Sequence, residues 1–326
     1  MLSPPLALLT MVLTCPVMQR QVPEVAALLF WPSDGRVAKA FDRNLVFRDP
    51  ATEAIVVAYP PEPGQASDPN VNVTVRREFF RFYLNNRVAP VVSSSVMRKP
   101  EGEYLYTYQV ENCPEAKTPI RMWAIAGPPV EAADPEFRSS HPSWAAYPRP
   151  RVNAAKQTLL PGVPPGPFVT WEKWEEPLAP GSKLGGFQVT SGFRPGFTTA
   201  FVVGDGSLET PGEGVSEEMI KQYEPLQRPE VMRRTTLTIG PRFAPQTTNL
   251  EVAAAFQQDL QVLIEDEWLD GDSLFLQNLL AGLRSYIESR GASALTLQAV
   301  AQPGIETEIA NALRLSLEPT SPGAQP

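Results

Sequence analysis

The residues best suited to chemistry stand together at Trp171-Glu172-Lys173-Trp174-Glu175-Glu176. Indole rings stack on sugar faces, and two carboxylates flanking a glycosidic bond can hydrolyse it. Trp171, Trp174, Glu172 and Glu175 are therefore the candidate ligand-binding residues. Extended backbone sends successive side chains to opposite faces. A strand through this segment puts Trp171 and Trp174 on opposite faces, so at most one can join a flat platform. The competing reading is one core tryptophan, one covering tryptophan and a solvated run of charge.

Other catalytic options are few. The chain has one histidine, His141, set between Ser140 and Pro142. A Ser-His or Cys-His nucleophile has no other base to use, and no G-x-S-x-G elbow is present. One histidine also excludes the H-E-x-x-H zinc pattern. No G-x-G-x-x-G or Walker motif offers a nucleotide cradle, so no cofactor is expected. Asp266, Asp270 and Asp272 could supply oxygens to calcium, but the D-x-[DN]-x-[DN]-G spacing is missing. Helix capping by Asp272 explains them more simply, and no metal ligand is assigned. Asn72-Val73-Thr74 fits a glycosylation sequon, which matters only in a eukaryotic secretory host. The sequence reads as non-catalytic.

The elements that must position these residues fall into two parts. There are 36 prolines in 326 residues, against an ordinary share of about 5%. Proline cannot donate to a sheet ladder and breaks helix interiors, so short strands on rigid loops are expected. Gly102 to Asn112 is the clearest strand: Tyr104, Tyr106, Tyr108 and Val110 alternate with Leu105, Thr107 and Gln109. Ile120 to Ile125 is its expected partner after the Cys113–Pro119 turn. Further short strands are expected at 55–59, 71–84, 168–171, 184–190, 198–203 and 237–239. Residues 126–167 are proline-rich and aperiodic, a long loop or a connection between two β halves.

After Pro245 the period lengthens. Val252, Phe256, Leu260, Leu263 and Ile264 mark a helix opened by Thr248 or Asn249. Leu276, Leu279, Leu280, Leu283 and Ile287 mark a second, opened by Asp272 or Ser273 and stopped by Gly291. Weaker helices are expected near 292–302 and 305–317. Residues 246–326 hold 11 acidic and 3 basic residues, which accounts for the whole net charge of −8. Neither part is basic enough to neutralise a phosphate backbone, so nucleic acid is not an expected partner.

The first residues, MLSPPLALLTMVLTCPVMQR, contain a ten-residue apolar run from Leu6 to Cys15. That length suits a signal-peptide core and is too short to span a bilayer. Removal of residues 1–22 takes Cys15 with it and leaves Cys113 as a single thiol, unable to form an intrachain disulfide. No transmembrane segment is expected in the mature chain.

Two segments carry a resemblance. Gly102–Asn112 (GEYLYTYQVEN) resembles a strand of exported bacterial β-sandwich proteins of unknown function. Pro180–Ser191 (PGSKLGGFQVTS), followed by Pro195-Gly196 and preceded by Val169–Trp171, resembles a later strand of the same proteins. The leucine-rich tail after Asn249 is similar to one that follows such domains. The resemblance spans residues 75–205 and, more loosely, the tail. It implies a fold and an extracytoplasmic setting, and no activity.

The expectation is a mainly β protein, an immunoglobulin-like or jelly-roll-like sandwich, with a C-terminal helical hairpin or small bundle. Its parts are a signal peptide at 1–22, a sandwich at 23–245, an acidic helical appendix at 246–318 and a disordered tail at 319–326. The expected function is a secreted or periplasmic binding or scaffold protein whose partner is an unknown protein or a cell-surface glycan. The alternative is a carbohydrate-binding or carbohydrate-active protein using Trp171–Glu176.

Overall fold

A computed structural model describes residues 46–48, 54–58, 79–127, 138–149, 168–173, 175–205, 221, 233–292 and 304–318. The expected leader, the tail at 319–326, the helix near 292–302, residues 71–78, most of the proline-rich stretch and Trp174 lie outside them. The described chain is mainly β, with three helices at its C-terminal end. Strands β1 (Val46–Arg48), β2 (Ile55–Ala58) and β3 (Phe79–Phe82) form a small antiparallel sheet in that order. A four-stranded sheet runs β4 (Pro90–Arg98), β5 (Tyr104–Asn112), β10 (Ser182–Ser191), β7 (Arg138–Ser140). A five-stranded sheet runs β12 (Arg234–Phe243), β11 (Arg194–Gly204), β6 (Ile120–Ala126), β9 (Phe168–Glu172), β8 (Ala145–Arg149). All strand pairs are antiparallel.

Alternation decides which face each strand buries. Tyr104, Tyr106, Tyr108 and Val110 of β5 are buried, as the period-two pattern predicts. Tyr108 meets Trp123 and Trp171 of the opposing sheet at 5.6 and 6.3 Å, with Phe187 of β10 completing the aromatic centre. The β10–β5 register shifts between Gly185 and Phe187. Gly186 takes φ +94° there, a conformation that side chains other than glycine rarely adopt. Asn112 closes the end of β5. Its Nδ2 donates to the carbonyls of Thr118 and Leu178 at 3.0 and 3.2 Å, and its Oδ1 accepts from Ala89 N–H at 3.1 Å.

Ile120–Ala126 is not the partner of β5. It crosses to the other sheet and pairs with β11 and β9, while β5 pairs with β4 and β10. The Cys113–Pro119 connection is thus an inter-sheet crossing and not a hairpin turn. The proline-rich stretch contributes two short strands, β7 and β8, each at a sheet edge. Edge placement suits Pro148 of β8, which has no N–H to donate. Strand β4 carries no period-two signature around Ser93, Ser94 and Ser95, and its pairing with β5 makes it a strand.

The helices are α1 (Asn249–Glu265), α2 (Leu274–Glu288) and α3 (Ile305–Leu317). Thr248 caps α1 in a capping box: its hydroxyl accepts from Glu251 N–H, and Glu251 Oε2 accepts from Thr248 N–H at 2.7 Å. Ser273 caps α2, and Gly291 follows its end at φ +82°. These helices do not enclose a core of their own. Val252, Phe256, Leu260, Leu279, Leu283, Ile309 and Leu313 share one continuous apolar cluster with the sandwich aromatics. Phe256 of α1 reaches Phe197 of β11 and Phe243 of β12, at ring distances of 5.3 and 5.7 Å. Among the described residues, no helix is long and apolar enough to cross a membrane.

Candidate functional site

Strand β9 holds the first half of the aromatic–acidic cluster. It lies between β6 and β8, and Phe168, Val169, Thr170 and Trp171 are all buried. Trp171 is 0% exposed. Its indole lies parallel to that of Trp123 at 4.4 Å and 14°, with Phe187 edge-on at 5.7 Å and Tyr108 tilted at 6.3 Å. A sugar ring cannot stack on a face already covered by another indole. Trp171 is thus corrected from a ligand platform to a core residue.

Glu172, opposite Met122 and Ala145, is half-buried, and Glu175 is exposed. Exposed Glu176 accepts a hydrogen bond from Lys173 Nζ at 2.8 Å. That bond, then the lysine's charge, holds its carboxyl below the usual range. This is an i,i+3 surface pair of small energetic weight. Trp174 lies outside the described residues. The structure therefore brings Glu172 and Glu175 to the surface of this segment and withdraws Trp171 from it.

His141 sits beside this cluster in the turn between β7 and β8. Its ring stacks on Phe187 at 4.1 Å and meets Trp144 edge-on at 6.5 Å. Nδ1 accepts from the backbone N–H groups of Ser143 and Trp144 at 3.1 and 3.0 Å. Two donors on one nitrogen require a lone pair there, so the proton rests on Nε2. Nε2 then donates to Gly185 C=O at 3.2 Å. Both ring nitrogens are occupied in holding the β7–β8 turn against the bulge of β10, which leaves no free base.

Burial lowers the imidazole's pKa and Lys173's charge adds to that, while the bond to Gly185 opposes both. The sign of the pH effect follows. With the folded value below the unfolded one near 6.5, His141 contributes stability that is present above pH 6.5 and lost as pH falls toward the folded value. Asparagine can supply the acceptor without titrating. His141→Asn is expected to flatten the acid-side fall in the thermal midpoint, read by melting curves between pH 8 and 5.

The acidic turn between α1 and α2 is structural in its visible bonds. Asp266 caps α1, and Asp270 Oδ1 accepts from Asp272 N–H at 3.0 Å. Ser273, not Asp272, caps α2. Among the described residues, no group of three histidine, cysteine, aspartate or glutamate side chains could hold a metal ion. Cys113, directly after the end of β5, is buried, 2% exposed.

Three polar residues that the sequence did not single out tie the helices to the sandwich. Arg194 of β11, 3% exposed, donates from Nη1 to Asn249 Oδ1 and Ser316 C=O at 3.0 and 2.9 Å, and from Nη2 to Thr247 C=O. Arg242 of β12 forms a forked pair with buried Asp259 of α1. Glu308 of α3 accepts from both N–H and O–H of Ser94 on β4, at 3.0 and 2.5 Å. Arg194 and Glu308 find partners 53 to 214 residues away, and Arg242 and Asp259, 17 apart, sit on a strand and a helix, so no single-element spacing announces them. Compared with known proteins, the chain matches no family model and no curated protein.

Proposed function

We propose that this chain is an exported, non-catalytic binding or scaffold protein built on an immunoglobulin-like sandwich. The observation that carries the reading is where its chemically able residues go. Trp171 is stacked inside the core, and His141 spends both ring nitrogens on backbone. Strand order favours the immunoglobulin-like form over the jelly roll. Taking β4, β5, β6, β10, β11 and β12 as strands A, B, C, E, F and G reproduces the neighbours A-B-E in one sheet and G-F-C in the other. Trp123 on β6 then holds the place of the buried strand-C tryptophan, with Tyr108 of β5 against it at 5.6 Å. The apolar run from Leu6 to Cys15 and the resemblance of the strands support a secreted or periplasmic setting.

A protein of the sort that this sequence resembles, presented at the cell exterior, meets a protein or a cell-surface glycan as its partner. The glycan reading retains Glu172 and Glu175 and loses Trp171. Expression in a secreting host, with fractionation and intact mass, tests the proposal. The chain is expected outside the cytoplasm, with residues 1–22 removed. Residues 1–20 retained in a cytoplasmic fraction would overturn the proposal. A glycan array on the same material separates the partners, and no binding above background ends the sugar reading.

A further inference from the structure

Helix α3 touches β4, β11, β12 and α1, and its two halves are held differently. The C-terminal half is fixed by groups that keep one charge state near neutrality. Arg194 Nη1 donates to Ser316 C=O at 2.9 Å, Ser316 O–H to Pro195 C=O at 2.5 Å, and Asn249 Nδ2 to Leu317 C=O at 3.0 Å. Leu313, Leu315 and Ser316 of this half are buried, whereas Ile309 is the buried apolar residue of the first two turns.

The N-terminal half rests on the edge of the four-stranded sheet. Among the described residues, β4 pairs with β5 alone. Residues two apart on a strand direct their backbone groups to the same side. Ser94 N–H and Val96 C=O therefore share the outer edge, and both are met by α3: by Glu308 Oε2 and by Asn311 Nδ2 at 3.1 Å. A sheet edge left open in this way is a template for pairing with another chain.

Glu308 is the one ionisable link in that seat. Its carboxylate is half-buried between α3 and β4, and among the described residues no lysine or arginine forms an ion pair with it. We propose that α3 is a proton-controlled strap on the edge of β4, seated through Ser94 and Val96 when Glu308 is neutral and loosened over its first two turns when Glu308 is charged.

Desolvation supplies the energy. Burial raises the carboxyl to about 7, and the two hydrogen bonds from Ser94 pull it down by less. The charge also pushes the Tyr108 phenol on β5 upward, after the larger effect of burial. Other charged and titratable groups surround α3. Arg98 lies on β4, Arg194 on β11 and Arg242 on β12, and burial pushes the Tyr104 and Tyr108 phenols up. On α1, Thr248's hydrogen bonds hold the Glu251 carboxyl low, and Asp259 is paired with Arg242. Glu306 on α3 itself accepts from Ser273 of α2, and Arg314 pairs with Glu318. A folded value above the unfolded one means the seat is firmest below about pH 4.5 and loosens as pH rises through 7.

Hydrogen exchange on the full chain tests this, with rates corrected for the intrinsic effect of pH. Between pH 5.5 and 8.0, protection of residues 305–312 and of Ser94 is expected to fall roughly 30-fold, at tenfold per unit of pKa shift. Residues 315–317 keep their protection and serve as the internal reference. Glu308→Gln, which keeps an acceptor without a charge, is expected to hold the high-protection state at both pH values. Equal wild-type protection at the two pH values would overturn the proposal, and so would a fall of the same size in Glu308→Gln.

Discussion

Trp171→Ala is expected to cost about 3–5 kcal/mol of folding stability, the range found when a large buried aromatic is truncated. The indole is 0% exposed, and its removal uncovers one face of Trp123 and the edges of Phe187 and Tyr108. Those three side chains come from both sheets, so collapse into the gap requires the sheets to shift together. Urea midpoints and the near-ultraviolet dichroism of the stacked indoles measure the loss. Glu175→Ala, on an exposed side chain, should stay within about 0.5 kcal/mol of wild type. The two variants together separate fold from recognition. A ligand lost only in Trp171→Ala is lost because the sandwich is, whereas one lost in Glu175→Ala is lost at a surface contact. A Trp171→Ala protein within about 1 kcal/mol of wild type contradicts the core placement.

The difference between these two residues shows what local sequence can carry. The spacing of Trp171 and Trp174 left open which indole faces inward. Position in the sheet answers it for Trp171: β9 is an inner strand, and Phe168 to Trp171 are all buried. β5 was legible because tyrosines on one face and smaller or polar residues on the other need only the pleat to sort them. The three helices were legible because their apolar stripes repeat within single segments, with Thr248 and Ser273 as caps. β4 was not, since its three serines carry no strand preference and β5 and α3 complete it from outside. β12 runs past its expected end because Gly240 admits a close approach. A Cβ there would lie 2.6 Å from Thr198 Cγ2 and 3.3 Å from Tyr108 Oη. What covers the helical stripes was equally hidden, because Arg194 binds Ser316 across 122 residues.

Asp259→Leu is expected to cost about 3–5 kcal/mol, because it strands the Arg242 guanidinium in a nearly dry site. The two side chains are 4% and 10% exposed. Arg242 offers both terminal nitrogens to the carboxylate, Nη2 to Oδ1 at 2.9 Å, and Nη1 reaches Phe197 C=O at 3.3 Å as well. The pair joins β12 to the middle of α1, beside Phe256 and Phe243, so an unpaired charge there works against the contact that seats α1 on the sheet. Burial pushes the Asp259 carboxyl up, and Arg242 only partly brings it back. Desolvation therefore outweighs attraction in this pair, and its worth lies in specifying where α1 docks. That makes the double variant informative. Asp259→Leu with Arg242→Met removes both charges and supplies apolar volume, and is expected to be more stable than Asp259→Leu alone by about 2 kcal/mol or more. Denaturant unfolding of the four proteins of the cycle measures the coupling. Simple additivity would show that the two charges do not sense one another.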